Sequence, residues 1–309
     1  MFLEKRRVGR KTKYYVVHSF RDGEKVVKIR RYLGIDLKPE EISKARTRAE
    51  TFIRDQLRQY REIRNPVEQT LSPVEIAQLK KLQHKIRIYH LDEREWQRFS
   101  EAFSYDTNAI EGSTVTRREM GPVLEGKAIH KRPGDVAEAR NVVSAVRYIR
   151  QTKHHVSLTL IRKLHKICFL GTKPFAGKFR EEGIEVMVRD ASGTVVHTGA
   201  LSEEIVPLIR KMVIWYNENK HKFPPILLAV LMHNQFEEIH PFQDGNGRVG
   251  RLLLNNILIK HGLPPVNIHY KNRTEYYKAL RAFDKESNVR PMIELIIKEY
   301  KKLQKDIHR

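Results

Sequence analysis

The feature that most restricts the fold of this chain is a change in the spacing of its apolar residues. Up to Gly34, apolar and charged side chains alternate with the period of two that is typical of β-strands, as in KYYVVHSF and KVVKIRRYL. From Pro39 onward, most segments repeat their apolar residues with the 3.6-residue period of an α-helix. The sequence therefore predicts a mainly α protein, a helical bundle, preceded by a small basic β-meander.

The helical part is interrupted at GIEVMVRDASGTVVHTGA, which predicts a β-hairpin over residues 183–200 with its turn at Asp190 to Gly193. The charged segment after Pro39 is typical of a connecting helix, so we expect the compact body to begin near Pro66. The predicted regions are a meander at 1–36, a connector at 37–65, a helical region at 66–154, a core at 155–298 and the end of the last helix at 299–309.

The 309 residues carry a formal net charge of +22, which favours an anionic partner such as a nucleotide, a nucleic acid or an acidic protein. A lysine-rich surface of the kind seen in proteins from hot environments is the alternative, because the basic residues are spread along the chain. Cys168 is the single cysteine and the N-terminus has no apolar signal segment, so we expect a cytoplasmic protein without disulfides. The longest apolar run is too short to cross a bilayer, so no membrane contact is expected.

The stretch HPFQDGNGRVGR, residues 240–251, lies between the apolar segment PPILLAVLMHNQFEEI and the helical segment RVGRLLLNNILI. Gly245 and Gly247 can take positive φ angles, which lets consecutive backbone N–H groups converge beside the positive N-terminus of the next helix. Arg248 and Arg251 are three positions apart and therefore share one helix face next to that loop. The stretch predicts a pocket for a polyphosphate.

Two further side chains of the stretch suggest chemistry as well as binding. Asp244 would be repelled by a bare phosphate, so a cation between them is expected, and Mg²⁺ (or Mn²⁺) commonly binds through one carboxylate and substrate phosphates. His240 is the single group of the loop that can accept a proton near neutral pH. The pattern predicts a site that binds a nucleotide and removes a proton.

The same twelve residues resemble the signature of the Fic (Fido) family: His-Pro-Phe, an acidic residue, Gly-Asn-Gly-Arg, and a second arginine three positions later. The resemblance extends over residues 66–298 and leaves the meander uncovered. Fic proteins transfer the AMP of ATP to a hydroxyl side chain of a target protein. The resemblance implies a Fic-type helical bundle with a β-hairpin flap, a Fido catalytic core at 155–298, and protein adenylyltransferase activity.

By this resemblance, His240 deprotonates a Ser, Thr or Tyr hydroxyl of the target, which attacks the α-phosphorus of ATP and expels pyrophosphate. Asp244 would bind the metal ion, and Arg248 and Arg251 would hold the β- and γ-phosphates, with Arg251 on the γ-phosphate. The implied ATP- and phosphate-binding residues are Asp244, Gly245, Asn246, Gly247, Arg248, Val249, Gly250 and Arg251.

The segment AGKFREEGIEV resembles the lead-in and flap of the family. The resemblance implies that the flap covers ATP and pairs backbone to backbone with the target segment. A surface hairpin without such a role is the alternative. The implied flap residues are Ile184, Glu185, Val186 and Met187.

The segment NRTEYYKALRAFD resembles the adenine-side helix of the family, which places Tyr276 and Tyr277 against the base. Aromatic pairs in helices are also common in hydrophobic cores, so packing is the alternative for both tyrosines. Asp284 stands where relatives often carry asparagine, and an ionised carboxylate accepts hydrogen bonds but does not donate them. An asparagine-like contact at Asp284 is therefore in question.

The segment TNAIEG, residues 107–112, resembles the inhibitory motif of Fic proteins in which that motif precedes the catalytic loop. The resemblance implies that Glu111 pairs with Arg251 and keeps this arginine from the γ-phosphate, because one guanidinium cannot serve both anions. The chain is then self-inhibited. Glu111 could also orient a water molecule for the removal of AMP, so the reverse reaction is left open.

Several alternatives remain. The body could be a catalytically weak nucleotide-binding module that serves a basic nucleic-acid-binding N-terminal arm, although binding ATP alone does not need His240. Other donors, such as UTP or a phosphocholine conjugate, also remain, as does a homodimer. His233 and Glu237 lie one helical turn apart and could be metal ligands, but a buried supporting role fits them better because no third ligand has suitable spacing. For the meander, docking of nucleic acid or an acidic protein competes with a solvated accessory sheet.

Overall fold

The computed structural model describes residues 1–22, 25–64, 71–85, 91–189 and 195–307. Contacts between residues divide the chain into two compact units, Met1–Glu62 and Ile63–Arg309. Pro66, the predicted start of the helical body, and the predicted hairpin turn at Asp190 to Gly193 lie outside the described residues. No helix in the described ranges is both long enough and apolar enough to cross a membrane.

The first unit contains the predicted meander, which is confirmed. Strands β1 (Phe2–Val8), β2 (Lys11–Asp22) and β3 (Lys25–Ile35) form an antiparallel sheet in the order β1-β2-β3, and helix α1 (Pro39–Arg64) follows. Packing against a helix stabilises a small sheet of this kind. The Arg31 guanidinium lies 4.3 Å from the centre of the Phe52 ring on α1.

The second unit is helical, as predicted. Its helices are α2 (Pro73–Lys85), α3 (Glu93–Ile110), α4 (Met120–Leu124), α5 (Pro133–Gln151), α6 (Leu158–Cys168), α7 (Ile205–Asn219), α8 (Pro225–Ile239), α9 (Asn246–Lys260), α10 (Arg273–Glu286) and α11 (Arg290–Ile307). Helix α3 begins at a capping box, in which Asp92 and Glu95 bind each other's backbone N–H groups. Helix α11 continues without a break through residue 298, where the core was predicted to end.

The predicted hairpin is present as strands β4 (Met187–Arg189) and β5 (Val195–Thr198). The two strands are antiparallel, with Met187 opposite Thr198. The Gly199 N–H donates to the Val186 carbonyl at 3.1 Å, and the Ala200 N–H donates to the Ile239 carbonyl at 3.2 Å. The first bond extends the pairing of the hairpin, and the second attaches it to the C-terminal end of α8.

The centre of the second unit is the pair α8 and α9, which pack along each other. Every residue of α8 from Ile226 to Ile239 is buried, and so is every residue of α9 from Asn246 to Leu258. A helix that is apolar on all sides is expected to be enclosed by its neighbours. The loop between these two helices is therefore anchored at both ends in buried helices.

Candidate active site

The loop 240–245 is shaped by two residues in the left-handed backbone region. His240 ends α8 with φ 49°, and Gly245 precedes α9 with φ 81°. A β-carbon at position 245 would overlap the Phe169 ring, so only glycine satisfies both the angle and the space. The Asn246 side chain closes the loop, because it accepts the Phe242 N–H and donates to the Phe242 carbonyl, both at 2.8 Å.

A buried histidine on α6 supports the loop from below. His165 Nδ1 accepts the Gly177 N–H at 2.8 Å, so Nε2 carries the proton and donates to the Asp244 carbonyl at 3.1 Å. Its ring stacks on Phe242 with the centroids 3.8 Å apart. Burial lowers the pKa of His165 to about 4, which keeps the ring neutral and this tautomer in place.

His240 presents one ring nitrogen to the site. Its Nδ1 lies 3.0 Å from the Glu237 carbonyl oxygen, which can only accept, so Nδ1 carries the proton and the lone pair is on Nε2. Burial lowers the pKa of His240 to about 4, so the imidazole is neutral at physiological pH. The loop therefore holds a proton acceptor of fixed tautomer.

The Asp244 carboxylate is bonded at both oxygens. Arg248 Nη2 lies 3.3 Å from Oδ1, and Lys173 Nζ lies 3.2 Å from Oδ2. Burial disfavours the charge of Asp244, but Arg248 and Lys173 outweigh burial and hold its pKa below the usual value. This carboxylate is ionised, partly exposed and directed to the same cavity as His240.

The Arg251 guanidinium is almost completely buried and binds four groups of three residues. Nη2 lies 2.7 Å from Glu111 Oε1 and 3.1 Å from the Thr107 carbonyl, while Nε donates to the Thr107 hydroxyl at 2.7 Å. Nη1 donates to the Tyr276 hydroxyl at 3.1 Å. The two ends of the TNAIEG segment thus bind the last arginine of the loop motif, 140 residues away in the sequence.

The Glu111 carboxylate also fills the space beside the backbone of the loop. A β-carbon at position 247 would overlap Glu111 Oε1 and lie 3.0 Å from Arg251 Nη1. The absence of a side chain at Gly247 is therefore what allows the carboxylate to reach the start of α9. An anion is expected at this place because the N-terminus of a helix attracts negative charge.

Arg248, predicted as a phosphate ligand, does not line the cavity. It is 5% exposed and forms a buried ion pair with Glu138 on α5 as well as the pair with Asp244. Its guanidinium carbon lies 4.4 Å from the centre of the Phe169 ring. In this arrangement Arg248 orients Asp244, and direct phosphate binding by Arg248 stays a prediction.

The flap is held in place by Arg180, which binds main-chain oxygens. Its side chain donates to the carbonyls of His240 at 3.0 Å, Ile184 at 2.8 Å and Ala200. Its own N–H donates to the Pro241 carbonyl at 3.0 Å. One buried arginine therefore joins both ends of the hairpin to the catalytic loop.

The predicted adenine-side residues are in different surroundings. Tyr276 is buried and bridges Arg251 and His233, whose Nε2 lies 3.0 Å from the Tyr276 hydroxyl. Tyr277 is half-buried, and burial raises its pKa to about 12. Asp284 lies 2.6 Å from Nδ1 of His197, a residue of β5. The first two residues face the cavity, whereas Asp284 does not line it.

These elements enclose a cavity of about 390 Å³. It is lined by Glu111, Val186, Met187, Glu237, His240, Gln243, Asp244, Gly245, Asn246, Gly247, Arg251, Tyr276, Tyr277 and Leu280. Most of the predicted site residues are thus brought together around one space. The predicted residues that do not line it are Ile184, Glu185, Arg248, Val249, Gly250 and Asp284.

Comparison with known proteins agrees with this arrangement. Residues 155–258 match the model of the Fic/DOC family. This match includes the hairpin and the loop motif. The chain is 31% identical over 209 residues to protein adenylyltransferase fic-1 of Caenorhabditis briggsae, which covers 63% of this chain and 39% of the relative. It is 31% identical over 203 residues to protein adenylyltransferase Fic of Drosophila mojavensis, which covers 62% and 38%. The chain thus spans well under half the length of these curated relatives.

Solved structures with a Fic domain show the same fold. A Fic family protein from Desulfovibrio desulfuricans superposes with a TM-score of 0.67 at 22% identity, over 78% of this chain and 77% of the other. The structure of Fic-1 from C. elegans gives a TM-score of 0.63 at 24% identity, over 88% of this chain and 78% of the other. The helical bundle with its hairpin is therefore a known arrangement around a Fic domain.

The structure adds residues to the Fic site that the sequence did not single out for it. Lys173, Glu138, His165 and Arg180 all bind the catalytic loop or its side chains through the contacts described above. Glu237 was considered as a metal ligand, but no group of three or more potential ligands occurs among the described residues. It lines the cavity instead, and burial raises the pKa of its carboxyl to about 8. A carboxylate on the wholly buried helix α8 was the sequence signal that could have identified it.

Proposed function

We propose that this protein is an adenylyltransferase that moves AMP from ATP to a hydroxyl side chain of a target protein. The observation that carries the proposal is the neutral His240, with its free Nε2 lone pair, in the same cavity as Asp244 and the backbone turn at residues 245–247. A nucleotide-binding module would need the turn but not the base. The curated relatives named as protein adenylyltransferases support the same activity.

In the proposed reaction, His240 Nε2 accepts the proton of the target hydroxyl as its oxygen attacks the α-phosphorus of ATP. The new bond joins this oxygen to phosphorus, and the bond from phosphorus to the pyrophosphate oxygen breaks. Backbone N–H groups at the start of α9 and the positive end of that helix stabilise the negative charge of the transferred phosphate. The acceptor is a serine, threonine or tyrosine of the target.

The residues present fit a magnesium ion bound together with the nucleotide. Asp244 is ionised, reaches the cavity and is bonded by two cationic side chains, as expected for a carboxylate whose natural partner is a cation. Magnesium commonly binds one or two carboxylates plus substrate phosphates, so a single protein ligand is sufficient. When bound, Mg²⁺ or Mn²⁺ would neutralise charge on the phosphates. Arg248 holds Asp244 in position for it, and Lys173 occupies the other carboxylate oxygen in its absence.

We also propose that the protein inhibits itself through Glu111. The carboxylate occupies the Arg251 guanidinium and the space beside Gly247, where the terminal phosphate of ATP would otherwise bind. ATP then enters in a pose without this arginine, and transfer is slow. Glu111 would also be placed to orient a water molecule for removal of AMP from the modified target, so the reverse reaction belongs to the same proposal.

The flap is the proposed docking site for the target. Val186 and Met187 line the cavity, and Met187 is 48% exposed, so the hairpin borders both ATP and solvent. An extended target segment that pairs with this hairpin would bring its hydroxyl towards His240. Tyr276 and Tyr277 border the opposite side and are proposed to contact the adenine. Cytoplasmic location and a homodimer remain part of the expectation from the sequence.

The deciding experiment compares ATP labelled at the α-phosphate with ATP labelled at the γ-phosphate, using the Glu111→Gly variant as enzyme and as its own target. We expect protein labelling from the α-label alone, and mass spectrometry should find one AMP on a hydroxyl side chain. The matched control is Glu111→Gly combined with His240→Asn, which should not label. Labelling from the γ-phosphate would show a kinase, and ATP binding without labelling would favour the nucleotide-binding module. Labelled UTP in the same assay tests the other donors.

A further inference from the structure

Both sides of the N-terminal sheet carry charged residues that are almost all cationic, and the side away from α1 carries more of them. The register of the strands puts Arg6 opposite Lys13, Val17 opposite Arg30, and Ser19 opposite Lys28, so these residues share one side of the sheet. We call this side the basic face. Its cations are Arg6, Lys11, Lys13, Arg21, Lys28 and Arg30.

The opposite side of the sheet packs on α1. Val16 and Ile29 on that side are buried, and Arg31 on that side covers the Phe52 ring of the helix. The basic face is therefore turned away from the helix, and Arg6, Arg21 and Lys28 on it are exposed. A solvated sheet would serve equally well with mixed charges, so the single sign of the charge is what needs an explanation.

The one carboxylate of this face does not offset its charge. Glu4 forms ion pairs with Arg6 at 2.5 Å and Arg30 at 3.0 Å, so two cations already surround it. Tyr15 and Tyr32 lie between the cations with their ring centroids 5.3 Å apart, and Tyr32 is 48% exposed. Arginine, lysine and tyrosine are the side chains that contact phosphate and sugar in nucleic-acid complexes.

We propose that the basic face is a docking surface for double-stranded DNA, with this face of the sheet in the major groove. The major groove of B-DNA is about 12 Å wide and admits a sheet whose outer strands lie about 10 Å apart. The deep and narrow major groove of duplex RNA does not, and an acidic protein offers no regular line of charge.

The test measures the binding of the full-length protein to a fluorescein-labelled 20-base-pair DNA duplex by fluorescence anisotropy, without ATP. We expect a Kd of about 1 to 100 μM or tighter at low salt, with an affinity that falls steeply as KCl is raised. Each phosphate contact contributes about 0.9 to the slope of log K against log salt. No binding at 50 mM KCl overturns the proposal. Because the assay does not involve the Fic domain's chemistry, its failure leaves the proposed function untouched.

The discriminating variant carries Lys13→Ala, Arg21→Ala and Lys28→Ala, none of which removes a partner of Glu4. A matched control removes the same charge from exposed positions on α1: Lys44→Ala, Arg48→Ala and Arg54→Ala. We expect the first variant to lose at least tenfold in affinity and about 2.7 in salt slope, and the control to stay within threefold of wild type. Equal losses in both variants would mean that the net charge of the chain, and not this face, binds DNA.

Two competitors separate the remaining partners. A duplex RNA of the same sequence should displace the labelled DNA poorly, and poly-glutamate should not displace it at equal charge. If duplex RNA or poly-glutamate displaces the labelled DNA as effectively as unlabelled DNA does, the basic face binds that partner and the DNA assignment is overturned. If the triple variant is unfolded by circular dichroism, the single exchange Lys28→Glu replaces it, with Lys44→Glu as its control.

Discussion

Replacing Glu111 by glycine tests the inhibitory contact directly. The side chain is 26% exposed and its partner Arg251 is 2% exposed, so the ion pair is shielded from solvent on one side. A hydrogen bond between charged groups is worth about 1.5 to 3 kcal/mol, which corresponds to roughly a tenfold to hundredfold suppression of the competing ATP pose. We therefore expect Glu111→Gly to raise self-labelling by about ten- to a hundredfold.

The other contacts of Arg251 do not depend on Glu111. Thr107 and Tyr276 continue to bind the guanidinium when Glu111 is gone, so the arginine stays ordered for the γ-phosphate. Glu111 is the C-terminal cap of α3 rather than an interior residue, so glycine should cost less than the roughly 1 kcal/mol of a mid-helix position. The gain in rate should therefore not be offset by a loss of folded protein.

The assay is the initial rate of incorporation of α-labelled AMP at fixed protein and ATP, with ATP affinity measured by calorimetry. Glu111→Gln should fall between wild type and Glu111→Gly, because a neutral acceptor retains about 0.5 to 1.5 kcal/mol of the bond. Glu101→Gly, on the same helix but outside the cavity, should give no gain. Glu111→Gly with Arg251→Ala should return to the wild-type rate or below. An unchanged rate in Glu111→Gly, in an enzyme that still requires His240, would refute the inhibitory role.

Three further predictions concern the base and the metal. His240→Asn should lower the rate of transfer by about 10²- to 10⁴-fold and leave ATP affinity within a few-fold of wild type. The affinity is kept because asparagine tolerates the left-handed backbone and the backbone turn that binds phosphate is untouched. A wild-type rate would exclude His240 as the base. The pKa of about 4 means that the neutral imidazole is lost only as pH falls through that value, so kcat/KM should stay nearly constant from pH 7 to pH 5. A base with the ordinary pKa would lose about 25-fold in kcat/KM over this range, and such a loss would contradict the assigned burial. Lys173→Met should lower the Mg²⁺ concentration needed for ATP binding in calorimetry, since the ammonium group competes with the metal for Asp244. Asp244→Ala should abolish the dependence of ATP binding on Mg²⁺. Wild-type activity that is unchanged in excess EDTA would exclude a metal.

The sequence predicted those parts of the structure that depend on neighbours in the chain. The alternation around KYYVVHSF and the 3.6-residue period of the body gave the correct elements, because strand and helix periods act over a few residues. The loop motif could be interpreted because the backbone turn, the base and the carboxylate all lie within twelve residues. Glu111 was identified through a resemblance, since nothing local distinguishes it from other helix-terminal glutamates.

The contacts that could not be predicted join residues far apart in the chain. Arg248 was expected in the cavity, but Glu138, 110 residues earlier, binds it in the core. No local sequence pattern predicts such a pair, because the pair arises from the packing of α5 near α9. Asp284 likewise binds His197, 87 residues away. For Tyr276, packing in the core does not exclude the predicted contact with adenine. The ring is buried and binds Arg251, and it also borders the cavity.

The way Arg180 holds the hairpin has a consequence for how target choice can change. This arginine binds carbonyl oxygens of Ile184, His240 and Ala200, and every amino acid supplies a carbonyl. Mutations can therefore alter the side chains of the flap while the anchoring of its backbone is preserved. The side chains of the hairpin can therefore change, and with them the target preference, while the distance between the flap and His240 stays the same. Grafting a foreign flap sequence of equal length between Arg180 and Ala200 is a practical route to a redirected enzyme.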